Sequence, residues 1–504
     1  MIERPISRRG LLAVTGGITV AGLGASPALA APTRPAPPTS LTPWAKDTWH
    51  SLDAMTGPTG LVADWIGADL TTPSTYTSPT NIGGYLWSCL MARDLGIITP
   101  GESRQRIART LTTLEGMERH RASGMYYNWY DPRSGEVLTT WPENGNPVDP
   151  FVSSVDMGWL GAALWTVANA DPSNRKRALD LFWPMRWDVF YDRSFWRPGG
   201  ANYGGFYTAK PNREGVIELP PLNGVGGSNV WYTETHHYDT AVSEARMVNY
   251  LGIFRGQIPP QAYFATWRTF PPDWDWQEII PTGVTRTYYG IDVYEGAYAY
   301  QQMKIVPGWG GSMFEELMPD IFVPEERWGP RSWGINHPAH VRAQRLHGMV
   351  EAGYGYWGFS PSANPAGGYR EYGVDALGLK PDGYFSDQDN TDYHWQSPPT
   401  TYGDGVVTPH ASFLAMMHDK DAAVSNLGKI QTELGAYGPG GFFDAAATRS
   451  GLLARRHLSL DQSMIMGAIG NVALGGRMRD YFSTRQVARA LRPVISIEEF
   501  GASL

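Results

Sequence analysis

Residues 80–95 are apolar on nearly every side, so if they form a helix, other helices must enclose it. That segment opens a series. Thr99-Pro100-Gly101-Glu102 is a capping box with proline at the first helical position, which starts a second helix running to about residue 119 with Ile107, Leu111 and Leu114 on one face. Together the two predict an antiparallel hairpin with a four-residue joint. The pattern returns at 154–170 with 172–190, at 234–251 with 260–270, at 338–353, at 406–417 with 420–434, and at 459–480 with 484–491. About eleven helices result, mostly in pairs.

Long loops lie between the pairs, at 126–150, 195–230, 274–311 and 354–405. Structureless loops of this length are either functional or disordered. These loops are dense in Gly, Trp, Tyr and Asp, and disordered segments are poor in aromatics. No convincing strand series, no Gly-rich strand-turn-helix and no repeat of fixed period is legible. The expected architecture is all-α, a toroid of helical hairpins whose loops form a cleft at one face. A chain divided into several helical domains is the alternative, since 504 residues exceed what one core normally serves.

The first thirty residues read as an address. Ser7-Arg8-Arg9-Gly10-Leu11-Leu12 sets twin arginines before an apolar stretch broken by Gly16, Gly17, Gly22 and Gly24, and Ala28-Leu29-Ala30 offers a cleavage site. The stretch is short of the ~20 residues a membrane span needs. Residues 1–30 are thus expected to be a twin-arginine signal, 31–42 a Pro-rich tether, and 43–504 one catalytic domain, secreted, monomeric and free of the membrane after the translocase has released it. Cys89 is the single cysteine, which excludes an intrachain disulfide. With 41 Lys+Arg against 49 Asp+Glu the net charge is −8, which argues against a nucleic-acid partner.

Three loop clusters set carboxylates among rings and glycines. In Pro307-Gly308-Trp309-Gly310-Gly311-Ser312-Met313-Phe314-Glu315-Glu316, a carboxyl between rings would be desolvated and its pKa raised toward that of a general acid. Glu315 also has the spacing of a capping-box partner for Ser312, and Glu316 that of a surface charge; spacing alone does not separate these roles. Asp404, flanked by glycines ahead of an apolar helix, suits an N-cap or a water-polarising acceptor. Trp357-Gly358-Phe359-Ser360 and Gly367-Gly368-Tyr369-Arg370-Glu371-Tyr372-Gly373 offer rings for the C–H face of a sugar and charges for its hydroxyls. Asp387, Asp389 and Asp392 mimic a calcium loop but lack its glycine and distal glutamate, so no metal and no cofactor is expected. His236-His237 reads as structural or rim-exposed.

Several separated motifs occur in one order: Thr77-Ser78-Pro79-Thr80-Asn81-Ile82-Gly83, Leu114-Glu115 with Arg119-His120, Tyr127-Asn128-Trp129-Tyr130-Asp131, Ser153-Ser154-Val155-Asp156, the Gly310 to Glu315 run, and Trp357-Gly358-Phe359-Ser360. Over residues 77–478 they resemble the glucoamylase-like domain shared by bacterial endo-β-1,2-glucanases and the transglycosylating domain of cyclic β-1,2-glucan synthases. The resemblance implies an (α/α)6 toroid and cleavage of a β-1,2-linked glucan. It implies Glu315 as general acid, Asp404 as base, and Asn128, Trp129, Asp156, Trp309, Trp357, Arg370 and Glu371 as substrate-gripping residues. One departure is Ser360-Pro361-Ser362, where the synthase relatives carry Ser-Glu-Ser. The expected mechanism is two-carboxylate hydrolysis with inversion. The rivals are a secreted glycan-binding protein without hydrolysis, and a polysaccharide lyase using a Tyr or His base on an acidic sugar.

Overall fold

The computed structural model describes residues 41–503 apart from 275, 276, 278 and 380–400. The signal, nearly all of the tether, and the calcium-like Asp387, Asp389 and Asp392 therefore lie outside the described residues. The helices are α1 (Leu41–Ala54), α2 (Pro79–Asp94), α3 (Pro100–Gly116), α4 (Ser154–Ala170), α5 (Arg175–Phe182), α6 (Arg246–Phe254), α7 (Gln261–Phe264), α8 (Met313–Leu317), α9 (Glu325–Trp328), α10 (Trp333–Leu346), α11 (Pro409–Ala415), α12 (Lys420–Thr432), α13 (Ser459–Ala473), α14 (Arg477–Phe482) and α15 (Arg485–Ile495). None is long and apolar enough to cross a membrane.

Local chemistry sets the clearest starts. Ser78, Thr99 and Ser153 each accept the N–H of the residue three ahead, with proline at the opening of α2 and α3. Six helices follow one another in space. α2 packs on α4 and α13, α4 on α6, and α11 on α8 and α13. Arg246 of α6 closes the order by hydrogen bonding to two carbonyls of α8. α2 and α13 are buried on almost every side, as the all-round apolar pattern of residues 80–95 requires. Cys89, in α2, is fully buried, and burial pushes its thiol up to about 12.

The strands depart from the sequence reading. A four-stranded antiparallel sheet orders Phe151–Ser153, Gly205–Tyr207, Val230–Thr233 and Val216–Leu219, and a three-stranded one joins Tyr191–Asp192, Ala201–Tyr203 and His237–Tyr238. Thr282–Tyr288 and Ile291–Tyr300 form a hairpin through Tyr289-Gly290, both at positive φ, as a two-residue turn matched to strand twist demands. Residues 234–245, expected to be helical, instead hold the His237–Tyr238 strand and the turn before α6. Pairing of His237 and Tyr238 with Tyr203 and Asn202 overrides their helical spacing. The segment 172–190 is helical only over Arg175–Phe182 before a short 3₁₀ turn, and α1 occupies residues assigned partly to the tether.

Candidate functional site

Two chambers open beside the N-terminal ends of the central helices. The first, about 810 Å³, is lined by Phe195, Trp196, His236, His237, Tyr238, Phe270 and Trp309, and by the acids Glu234, Asp239, Glu244, Glu315 and Glu371. The second, about 510 Å³, takes in Trp65, Tyr76, Trp129, Trp141, Asp64, Glu143, Asp156, Tyr369 and Arg456. Both volumes suit an extended ligand. Glu244 lines both. Ser78, Thr80 and Asn81 of the α2 start, Val155 and Asp156 of α4, Glu244 just ahead of α6, Glu315 of α8 and Leu460 of α13 all reach these chambers. Helix N-termini favour negative charge, which helps a fold tolerate so many carboxyls in one place.

The centre is a carboxyl pair. The backbone N–H of Glu244 donates to Glu315 Oε2 at 2.6 Å, and Trp159 Nε1 donates to Glu244 Oε2 at 2.6 Å. Burial, with the Glu315 carboxyl beside it, holds Glu244 well above the usual carboxylate range. Glu315 is 7% exposed and sits in the first turn of α8, whose start is capped by Ser312 accepting the Glu315 N–H at 3.3 Å. Gly311, at φ 71°, precedes that cap; a Cβ there would collide with the Val374 carbonyl, so the glycine serves packing against the 374 loop rather than approach to a ligand.

A buried charge network anchors the pair. Arg246 uses all five of its donors: Nε and Nη2 on Glu325 at 2.7 and 2.9 Å, Nη1 on the carbonyls of Ser243 and Glu315 at 2.8 and 2.6 Å, and Nη2 on the Glu316 carbonyl at 2.5 Å. It thus ties the turn bearing Glu244 to the helix bearing Glu315. Glu316 is fully buried and accepts from Asn336 and His337, so it is no surface charge. The carboxylates of Glu316 and Glu325 raise His337 to about 10 against the opposing effect of burial, leaving the imidazole protonated. Asp320, Glu325 and His337 lie as close together as the ligands of a metal ion would. The two carboxylates already pair with Arg246 and Arg479, and His337 lies between Glu316 and Glu325.

In the second chamber, Thr80 Oγ1 donates to Asp156 Oδ1 at 2.7 Å, and Asn81 Nδ2 donates to Asp64 Oδ1 at 2.7 Å. With its amide oriented to satisfy both neighbours, Asn128 donates to Asp156 Oδ2 at 2.7 Å and accepts from Trp129 Nε1 at 3.1 Å. Trp129, Trp141 and Tyr76 pack edge-on or tilted within 5.7 Å, forming an aromatic wall. Burial raises Asp64 to about 6.

Of the residues expected from sequence, Glu315, Trp309 and Glu371 meet in the first chamber, Trp129 and Asp156 in the second, with Asn128 bonded to both of the latter. Asp404 is not brought to them. Its carboxylate accepts the N–H groups of Arg449 and Ser450 at 2.7 and 3.2 Å, across from its own loop, and among the described residues it lines neither chamber. Nor does it cap α11, which starts after Thr408. Trp357 is 2% exposed, its backbone clasped by Asn426, and it borders a separate recess with Arg345 and Asp419. Arg370 pairs in a short strand with Ser362, between Tyr369 of one chamber and Glu371 of the other. His236 and His237 line the first chamber. Sequence reasoning missed Glu244; the available signal was an acid and an arginine two apart, Glu244 and Arg246, opening an otherwise apolar run.

Residues 236–485 match the family described as "Putative glucoamylase". That match covers just under half of the chain. Residues 43–190 match a second family, described as a protein of unknown function. The chain is 25% identical to the cyclic β-(1,2)-glucan synthase NdvB of Rhizobium meliloti over 537 residues, 82% of this chain but 17% of that protein's length. Among solved structures it is similar to a "putative glucoamylase" from Bacteroides uniformis, at 16% identity, TM-score 0.63, covering 90% of this chain and 96% of the other. It is also similar to an endo-β-1,2-glucanase from Chitinophaga pinensis, at 15% identity, TM-score 0.62, covering 90% and 97%. These likenesses establish the shared fold.

Proposed function

We propose that this protein is a glycoside hydrolase that cleaves a β-1,2-linked glucan. The observation that carries the reading is Glu244, a carboxyl that sits beside Glu315 at the junction of two aromatic-walled chambers. Bound across the junction, a glycan places its scissile oxygen at Glu244, which donates the proton. Glu315 activates water, directly or through a substrate hydroxyl, and the product inverts. Glu315, expected from sequence as the acid, takes the role of base in this reading, and Glu244 stands in the pair in place of Asp404, whose carboxylate is held by the Arg449 and Ser450 backbone. The order of the six central helices supports a closed (α/α)6 toroid, and the twin-arginine leader supports export.

The lyase alternative fits poorly. Tyr238, the phenol of the first chamber, is pushed up by burial and by Glu244, Glu315 and Asp156, the reverse of what a Tyr base needs. Among the described residues the lining of that chamber has five acids and no Lys or Arg, which disfavours a uronate. The β-1,2 linkage draws support from the named relatives. Incubation of residues 31–504 with β-1,2-, β-1,3-, β-1,4- and β-1,6-glucans, with product sizing and NMR of the first anomer released, tests the proposal. Reducing ends from β-1,2-glucan alone, as the inverted anomer, are expected. Cleavage of another linkage overturns the linkage assignment, and binding without cleavage favours the glycan-binding alternative.

A further inference from the structure

Trp196 is 67% exposed, the most exposed tryptophan among the large hydrophobic side chains left open to solvent, yet it lines the first chamber. Its ring is held from behind. It stands 5.7 Å from Phe195 and 6.1 Å from Trp267. Phe195 in turn lies 4.5 Å from the His237 ring, which is backed by Tyr203 at 3.9 Å and hydrogen bonds to Asp192 at 3.2 Å. Trp267 is itself 8% exposed, with the Arg197 guanidinium 3.3 Å from its ring centre. The indole is therefore mounted on a packed base with its remaining surface toward the chamber mouth. Glu315 at 7% marks the deep end of the same chamber. An indole costs free energy when left in water, and one on a fixed support at the rim of a ligand chamber has a partner when the ligand is present.

We infer that Trp196 is a stacking platform for a pyranose ring at the mouth of the first chamber, outside the rings that flank the bond that is cut. This rests on the hydrolase reading above and extends it: the site grips the glucan at the exposed rim of the chamber as well as at the buried carboxyls.

The test compares wild type, Trp196→Ala and Trp196→Phe on polymeric β-1,2-glucan and on the trisaccharide, with calorimetric binding of a long oligosaccharide to each protein on a Glu244→Gln background. Trp196→Ala should raise KM for the polymer, and Kd for the long oligosaccharide, by roughly tenfold, with kcat unchanged. KM for the trisaccharide should stay within twofold, and Trp196→Phe should recover much of the loss. Wild-type KM for the polymer in Trp196→Ala, a fall in kcat alone, or an equal loss on the trisaccharide overturns the platform while leaving the hydrolase standing. Absence of both cleavage and binding in the wild type overturns the functional reading itself.

Discussion

Removing the Arg246 side chain tests whether the buried network aligns the carboxyl pair. Arg246→Ala deletes five hydrogen bonds at once and leaves Glu325, which is fully buried, facing only the Tyr250 hydroxyl and His337. Breaking a buried pair from one side costs about 3–5 kcal/mol, most of it the uncompensated charge. For a chain of this length the unfolding entropy is about 1 kcal/mol per kelvin, so the melting temperature should fall by roughly 3–5 °C. Function should suffer more than stability. Arg246 ties the Ser243 and Glu315 carbonyls together, and a displacement of ~1 Å between the reacting groups costs on the order of 100-fold in rate. Arg246→Lys keeps the charge but not the planar fork, so it should recover part of the melting temperature and little of kcat. The assay is calorimetric melting together with kcat and KM on β-1,2-glucan oligosaccharides. An Arg246→Lys protein with wild-type kcat would refute the alignment role, and an Arg246→Ala protein with an unshifted melting temperature would refute the energetic one.

Two further outcomes follow from titration. Activity should fall as pH rises through the pKa of Glu244, because the donor form is the protonated one; Trp159 Nε1 stabilises the ionised form, so Trp159→Phe should move that alkaline limb to higher pH, read from kcat/KM against pH. Asp461 is raised from 3.8 to about 7 by burial, so the folded chain holds a proton that the unfolded chain releases, and stability present below pH 4 is lost as pH climbs through 7. Asp461→Asn should therefore melt about 4 °C above wild type at pH 8, with the gap closing at pH 4, corresponding to on the order of 4 kcal/mol. A pH-independent gap would contradict this.

Capped, all-round apolar helices were legible because their signals are local. Ser78-Pro79, Thr99-Pro100 and Ser153 each set a helix start with their own side chains. Glu315 was legible because Gly, Ser and aromatic neighbours surround it in sequence. Glu244 was not, because its environment is assembled from afar: Trp159 and Glu315 approach it from other helices, and a helix beginning at residue 234 makes it one more polar position on an amphipathic stretch. Asp404 misled for the converse reason. Flanking glycines suggest a loop near a ligand, but its carboxylate is satisfied by the turn at Arg449 and Ser450. The strands around the first chamber escaped because cross-strand partners such as Tyr203 and His237 are more than thirty residues apart.

Whether Glu244 supplies the proton decides the proposed chemistry. The initial rate of reducing-end release from linear β-1,2-glucan, compared between wild type and Glu244→Gln, answers it, because the change keeps an acceptor for Trp159 Nε1. Cleavage by the wild type is expected, with a loss of at least about 1,000-fold in a variant that melts at the wild-type temperature or above. A Glu244→Gln protein that cleaves within tenfold of wild type would contradict the assignment.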